Sequence, residues 1–175
     1  LNHSSGEIYY NGKLITSGHN KWQSRVTYLP QHAFIIDNTI RSNIALGIDE
    51  QDVDKMALLK SIQDAQLSSV IERLPNGIYT LLGERGVSLS GGEMQRISIA
   101  RALYHDRDIL IMDESTSALD KENEGKIMEV IERHKKNKTL IIIAHRLSTL
   151  RFCDCIYKIE QGRIVQSGSY NKMVL

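Results

Sequence analysis

Two apolar runs separated by an amphipathic helix restrict this chain more than any other feature. Residues 109–112, Ile-Leu-Ile-Met, and residues 139–144, Thr-Leu-Ile-Ile-Ile-Ala, each read as a buried strand. Between them, residues 121–136 carry Ile127, Val130 and Ile131 on one helical face, with charged residues around the rest. Strand, helix and strand in that order predict a parallel pair joined by a crossover helix. Strands apolar at successive positions predict a sheet covered on both faces. The expected class is therefore α/β with a parallel core sheet.

The rest of the chain adds a helical region and antiparallel edges. Glu7-Ile8-Tyr9-Tyr10 and Lys13-Leu14-Ile15-Thr16 flank Asn11-Gly12, and Asn-Gly favours a tight hairpin because both turn positions need positive φ. Val26-Thr27-Tyr28-Leu29 reads as a short strand that Pro30 ends, since proline cannot donate to a ladder. Residues 39–74 turn helical, with Met56, Leu59 and Ile62 on one expected face and Asp52 and Asp54 near a helix start, where the dipole favours negative charge. Pro75-Asn76-Gly77 breaks that region, and Gly83-Glu84-Arg85-Gly86 reads as a loop. A helix is expected from Gly91-Gly92 through Leu103, and residues 155–160, Gln161-Gly162 and residues 163–167 read as a closing hairpin. The sequence contains no internal repeat.

Length and composition bound the function. A chain of 175 residues suits one ordinary domain with an attached lobe. The apolar share is 41% and the charged share 25%, and the net charge is only +1, which argues against a nucleic-acid partner. No apolar run reaches the roughly 18 residues that span a bilayer, and the first residues are polar, without the apolar centre of a signal peptide. Cys153 and Cys155 share a face if both lie in a strand, and they read as two reduced thiols. The chain opens on Leu1 in mid-pattern, and is expected to be a fragment of something longer.

Chemistry concentrates at strand ends and at one helix start. The run at 109–112 ends in Asp113-Glu114, and ligands tend to gather at that edge of a parallel sheet. An aspartate there can hold Mg²⁺, which takes few protein oxygens and keeps several waters. A glutamate beside it is placed to polarise a water for attack on a phosphate. Ser90-Gly91-Gly92 alone is an ordinary N-cap, yet glycines and free N–H groups at a helix start also make an anion site. His145 closes the second apolar run, where its imidazole can orient Glu114 and a water. Gln31 follows Pro30 at a third strand end, where an amide can touch both metal and water. Asp120, after Ser117-Ala118-Leu119, is expected to cap the next helix.

In this order Leu89-Ser90-Gly91-Gly92-Glu93, with Gln95 and Arg96, and then Ile109 through Glu114 resemble the signature and Walker B motifs of ABC-type ATPases. The resemblance covers the chain from about Gly6 to Val174 and points to the nucleotide-binding domain of an ABC exporter. It implies a P-loop NTPase-like parallel core with an inserted helical subdomain and an antiparallel β edge, incomplete at the N-terminus. It implies a β lobe over about residues 1–30, a helical signature subdomain over about 36–104 and an ATPase core lobe over about 105–175. It implies ATP and Mg²⁺ as cofactors, with Asp113 and Gln31 at the metal and Glu114, His145 and Gln31 at the reaction. Ser90, Gly91, Gly92, Glu93 and Asp120 are the implied nucleotide-contacting residues. The segments from Tyr28 to Phe34 through Thr39 to Ile44, and from Leu82 to Gly86, carry the exporter character, and imply that Gln31 and Glu84 couple to transmembrane helices. Glu93 stands where exporters more often have glutamine.

The Walker A loop, Gly-x-x-x-x-Gly-Lys-[Ser/Thr], is not in these residues. Gly12-Lys13 precedes Leu14 and Gly125-Lys126 precedes Ile127, and neither has the glycine spacing. The loop and a transmembrane domain are expected upstream of Leu1, and the fragment alone is expected to be inactive. The implied protein is an ATP-hydrolysing exporter or flippase domain at the cytoplasmic face of a membrane, a bacterial inner membrane first of all. It is implied to work as a head-to-tail homodimer. The alternatives are the ATPase subunit of an importer and a soluble ABC ATPase of DNA repair.

Overall fold

The computed structural model of the chain describes residues 6–14, 22–83, 86–135 and 138–174. β1 (Tyr9–Tyr10) pairs antiparallel with β2 (Lys13–Leu14). Asn11 and Gly12 at the tip have φ of 48° and 73°, as a two-residue type I′ turn demands. Ile15 and Thr16, expected to lengthen the second strand, lie outside the described residues. β3 (Val26–Leu29) stops at Pro30 as expected.

The helical region resolves into α1 (Ile40–Ile44), α2 (Lys55–Asp64) and α3 (Ser68–Glu72). Side chains start the first two: Thr39 accepts from Ser42 N, and Asp54 accepts from Met56 N and Ala57 N. The expected face of α2 is corrected by the structure. Leu58, Ser61 and Ile62 are buried, whereas Met56 is 76% and Leu59 51% exposed. Packing against α4 decides which face turns inward, and positions 58, 61, 62 and 65 form that stripe. α4 (Gly91–His105) begins at the glycine pair and ends where Asp106 adopts φ 48°. Ile97, Ile99 and Ala100 on α4 are at most 1% exposed and join Ile40, Ile44, Leu58 and Ile62 in one core.

β4 (Ile109–Asp113), α5 (Lys121–His134) and β5 (Thr139–Ile143) form the expected strand–helix–strand unit. The sheet order is β3-β4-β5, all parallel, with Leu29 opposite Met112 and Asp113 opposite Ile143. Coverage of both faces is corrected. Leu29, Leu110 and Met112 are buried, and Leu110 and Leu140 share a small cavity with Ala102 of α4 and Ile131 of α5. Alternate residues point the other way, and there Tyr28, Ile141 and Ile143 are 54%, 47% and 49% exposed. Both helices lie on one side, so among the described residues the second face is open.

α6 (Leu147–Leu150) follows β5. β6 (Ile156–Glu160) and β7 (Arg163–Gly168) pair antiparallel around Gln161 and Gly162, whose φ values are 48° and 75°. The chain then enters α7 (Tyr170–Val174). Cys153 and Cys155 are free thiols that do not share a strand, because β6 starts after both.

The corrected phase of α2 separates two adjacent leucines. Leu58→Ala, at a side chain 2% exposed, is expected to lower stability by about 2–5 kcal/mol. Leu59→Ala is expected to change it by less than about 0.5 kcal/mol. Urea unfolding of the two variants measures the contrast.

Candidate functional site

Parallel pairing brings three loop starts to one edge of the sheet. Gln31 follows β3, Glu114 follows β4 and His145 follows β5 by two residues. Glu114 N donates to Ile143 O at 2.9 Å, which extends the β4–β5 ladder by one bond. The Glu114 backbone has φ 47°, a left-handed conformation costing about 1–3 kcal/mol for a residue with a side chain. This turn aims the carboxylate between its neighbours. His145 Nε2 lies 2.6 Å from Glu114 Oε1, and Gln31 Nε2 donates to Glu114 Oε2 at 3.0 Å. Each carboxylate oxygen thus has a partner from a different strand end. The Glu114 side chain is 23% exposed and that of His145 83%, so the cluster opens to solvent.

Asp113 faces the open side of the sheet. Its Oδ2 accepts from Tyr28 Oη at 2.8 Å, and this bond raises the Tyr28 phenol above its ordinary pKa. In the sequence Tyr28 is a strand residue opening the exporter-like segment, and nothing there marks it as a partner of Asp113. A cavity of about 90 Å³ beside this cluster is lined by Glu114, Ser115, His145 and Thr149. Among the described residues no three His, Cys, Asp or Glu side chains form a metal cluster. The oxygen donors near this edge are the carboxylates of Asp113 and Glu114 and the Gln31 amide. That set is too small for a protein-only cage and suits Mg²⁺, which completes its shell with water and phosphate oxygens.

Ser90 and the glycines sit elsewhere, at the start of α4. Ser90 Oγ accepts from Glu93 N at 3.3 Å, and Glu93 Oε2 accepts from Ser90 N at 2.9 Å, a reciprocal capping box. Glu93 also ion-pairs with Arg73 and is 9% exposed, so its carboxylate turns back into the fold. Gly91 is exposed, and the N–H groups of Gly91 and Gly92 precede the first intrahelical acceptor. Gly92 presses on the loop after β4: a Cβ added there would lie 2.9 Å from Ala118 O. Among the described residues no hydrogen bond or ion pair joins Ser90 to Asp113, Glu114 or His145. Ser90 and the Glu114 cluster are therefore not in direct polar contact within one copy of the chain.

Polar side chains bind the loops to one another. Gln95, 4% exposed, donates to Gln31 O at 3.1 Å and accepts from Ala118 N at 3.0 Å. Glu124, 5% exposed, accepts from Arg146 at 2.7 Å and from Thr149 Oγ1 at 2.9 Å. Arg146, beside His145, also donates to Ser117 O at 2.9 Å. Gln95 is visible in the sequence only as part of a motif, and Glu124 and Arg146 only as helix and loop charges. Asp120 caps α5 as expected, accepting from Asn123 N at 2.9 Å and Asn123 Nδ2 at 2.6 Å. The Asn123 N–H bond, then the side-chain bond, holds the Asp120 carboxyl below its ordinary pKa. Glu84 lies outside the described residues.

Known proteins resemble this arrangement. The family model described as "ABC transporter" matches residues 1–117. The "ABC multidrug transporter mdr1" of Aspergillus fumigatus is 39% identical over 171 residues, which is 97% of this chain and 13% of that protein. The "ATP-dependent lipid A-core flippase" of Polaromonas sp. is 40% identical over 172 residues, 98% of this chain and 29% of that protein. Among solved structures, a bacterial Atm1-family ABC exporter with ATP bound matches at a TM-score of 0.90 and 35% identity. That match covers 98% of this chain and 30% of the exporter's. The chain spans less than a third of the length of each.

The Asp120 cap carries a test. Asp120→Ala removes both bonds to Asn123 and is expected to speed amide exchange there, while Asp120→Asn keeps a capping oxygen and preserves protection. The folded carboxyl is depressed, so its contribution is complete above the ordinary carboxylate pKa. It is lost as the pH falls through the lower folded value. Exchange measured along an acid titration reads this loss.

Proposed function

The chain belongs to the ABC transporter family, and on that premise we propose that it is the ATP-hydrolysing, nucleotide-binding part of an exporter or flippase. Its α/β fold is P-loop NTPase-like. The observation that carries the reading is Glu114, held at the sheet edge with His145 on one oxygen and Gln31 on the other. The proposal concerns the full-length polypeptide, because the Walker A phosphate cradle is not among these residues.

The geometry supports the following roles. Bound MgATP supplies a phosphoanhydride bond whose terminal phosphoryl group is transferred to water. Glu114 is the acceptor for that water's proton, since its carboxylate is partly exposed and oriented from both sides. Gln31 and His145 hold the carboxylate in line; Nε2 of His145 is engaged by Glu114, and the mostly exposed ring turns its other edge to solvent to meet a phosphate oxygen. Asp113 and Gln31 are the oxygen donors for Mg²⁺. Ser90, Gly91 and Gly92 offer a hydroxyl and backbone N–H groups to the γ-phosphate held by a second copy. That these two half-sites make no direct polar contact within one chain, among the described residues, supports a head-to-tail pair. Glu93 acts through the capping box, shaping that N-terminus from behind. Asp120 sets the start of α5 and presents the Ser117–Leu119 turn to the nucleotide interface.

Transport enters from the relatives. Several are named as multidrug transporters and one as a lipid flippase, which favours export over import or DNA repair. The place of action is the cytoplasmic face of a membrane, with transmembrane helices supplied by the longer polypeptide and contacted near Gln31 and Glu84. Among the described residues no helix is long and apolar enough to cross a membrane.

The decisive variant is Glu114→Gln in the full-length polypeptide. It is expected to keep ATP affinity within about threefold, to lower turnover at least about a hundredfold and to accumulate as the closed nucleotide-bound dimer. Turnover at the parental rate would exclude Glu114 as the base.

A further inference from the structure

One motif residue has no part in the chemistry above. Gln95 lies on α4 one turn after Gly92, and its side-chain amide is engaged at both ends. Oε1 accepts from Ala118 N at 3.0 Å, and Nε2 donates to Gln31 O at 3.1 Å and lies 3.4 Å from Ser117 Oγ. Two of these partners are main-chain groups in irregular segments, which have no ladder to satisfy them. We propose that Gln95 is a positioning residue that ties the Ser117–Ala118 turn to the Gln31 backbone and thereby sets how Gln31 meets Glu114. The inference rests on the hydrolytic role of Glu114 given above and adds a device that aligns it.

The bonds run without a gap. Ala118 N–H reaches Gln95, Gln95 reaches the Gln31 carbonyl, and Gln31 Nε2 reaches Glu114 Oε2 at 3.0 Å. His145 closes the series on Glu114 Oε1 at 2.6 Å. Gly92 reinforces it, because positions three apart share a helix face and Gly92 bears on the carbonyl of Ala118, the residue whose N–H Gln95 accepts. The signature helix, the turn before Asp120 and the Gln31 loop are thus held by one buried amide. Asparagine is one methylene too short to span the gap, glutamate lacks the donor for the Gln31 carbonyl, and an apolar residue leaves buried polar groups unpaired. A shift of the Ser117–Ala118 turn, where the opposite copy is proposed to bind, moves Gln31 on Glu114. Nucleotide closure at one half-site is thereby read at the other.

The test uses the full-length polypeptide with MgATP. Gln95→Met keeps the length and removes both polar ends; Gln95→Glu keeps the acceptor for Ala118 N–H and sets a carboxylate against the Gln31 carbonyl. Both are expected to lower kcat about tenfold or more, with KM for ATP within about threefold. In a Gln31→Ala background, which has no side chain left to align, Gln95→Met is expected to change kcat less than about twofold. Exchange of the Ala118 amide, measured without nucleotide, is expected to quicken about tenfold in Gln95→Met. Unchanged kcat, a full loss persisting in the Gln31→Ala background, activity falling only in step with the urea midpoint, or unchanged exchange at Ala118 would each overturn the proposal. Parental turnover in Glu114→Gln would instead overturn the hydrolytic assignment, and the exchange measurement would still decide whether the tie exists.

Discussion

The parallel register of β3, β4 and β5 is the constraint on which everything else depends. Strands that run the same way end at the same edge, so residues far apart in the chain are delivered to one place. Gln31, Glu114 and His145 meet only because Leu29 sits opposite Met112 and Asp113 opposite Ile143. A slip of one residue would turn every side chain of a strand to the other face. It would bury Asp113 against the helices and expose Met112. The alternation of buried Leu110 and Met112 with half-exposed neighbours holds the register against such a slip.

Strands and caps were legible because their signals are local. Asn11-Gly12 encodes its own turn, Pro30 its own stop, and Asp120 its own cap. The inward face of α2 was not, because Met56, Leu59 and Ile62 are as periodic as the true stripe. Only the elements packed around it, α4 above all, decide which is turned inward. Coverage of the second face cannot be read from Ile141 and Ile143 either, since their exposure depends on what packs across from them. At the site, each strand-end residue was evident by type and position. The partners that aim them were not: Tyr28, Gln95, Glu124 and Arg146 act through contacts spanning from 22 to 85 positions. No window of sequence displays such a separation.

Long polar side chains, together with the shared apolar core, join the helical region to the sheet edge. Gln95 bridges to the Gln31 loop, and Arg101, further along α4, donates to Asn43 O at 2.7 Å and Phe34 O at 2.9 Å. Arg146 links the β5 loop to α5 and to the turn after β4. Apolar contact is tolerant of sliding, whereas a hydrogen bond weakens steeply with misalignment. Joints of this kind therefore have definite positions, as a site assembled from several segments requires.

The open face of the sheet has a consequence of another kind. β5 ends the sheet among the described residues, and its Ile141 and Ile143 stand beside that free edge. Unpaired backbone groups next to bare isoleucine invite any extended chain to add itself as the next strand. During synthesis such an edge is safe only while something shields it. A strand added there would pair the edge and cover both isoleucines at once.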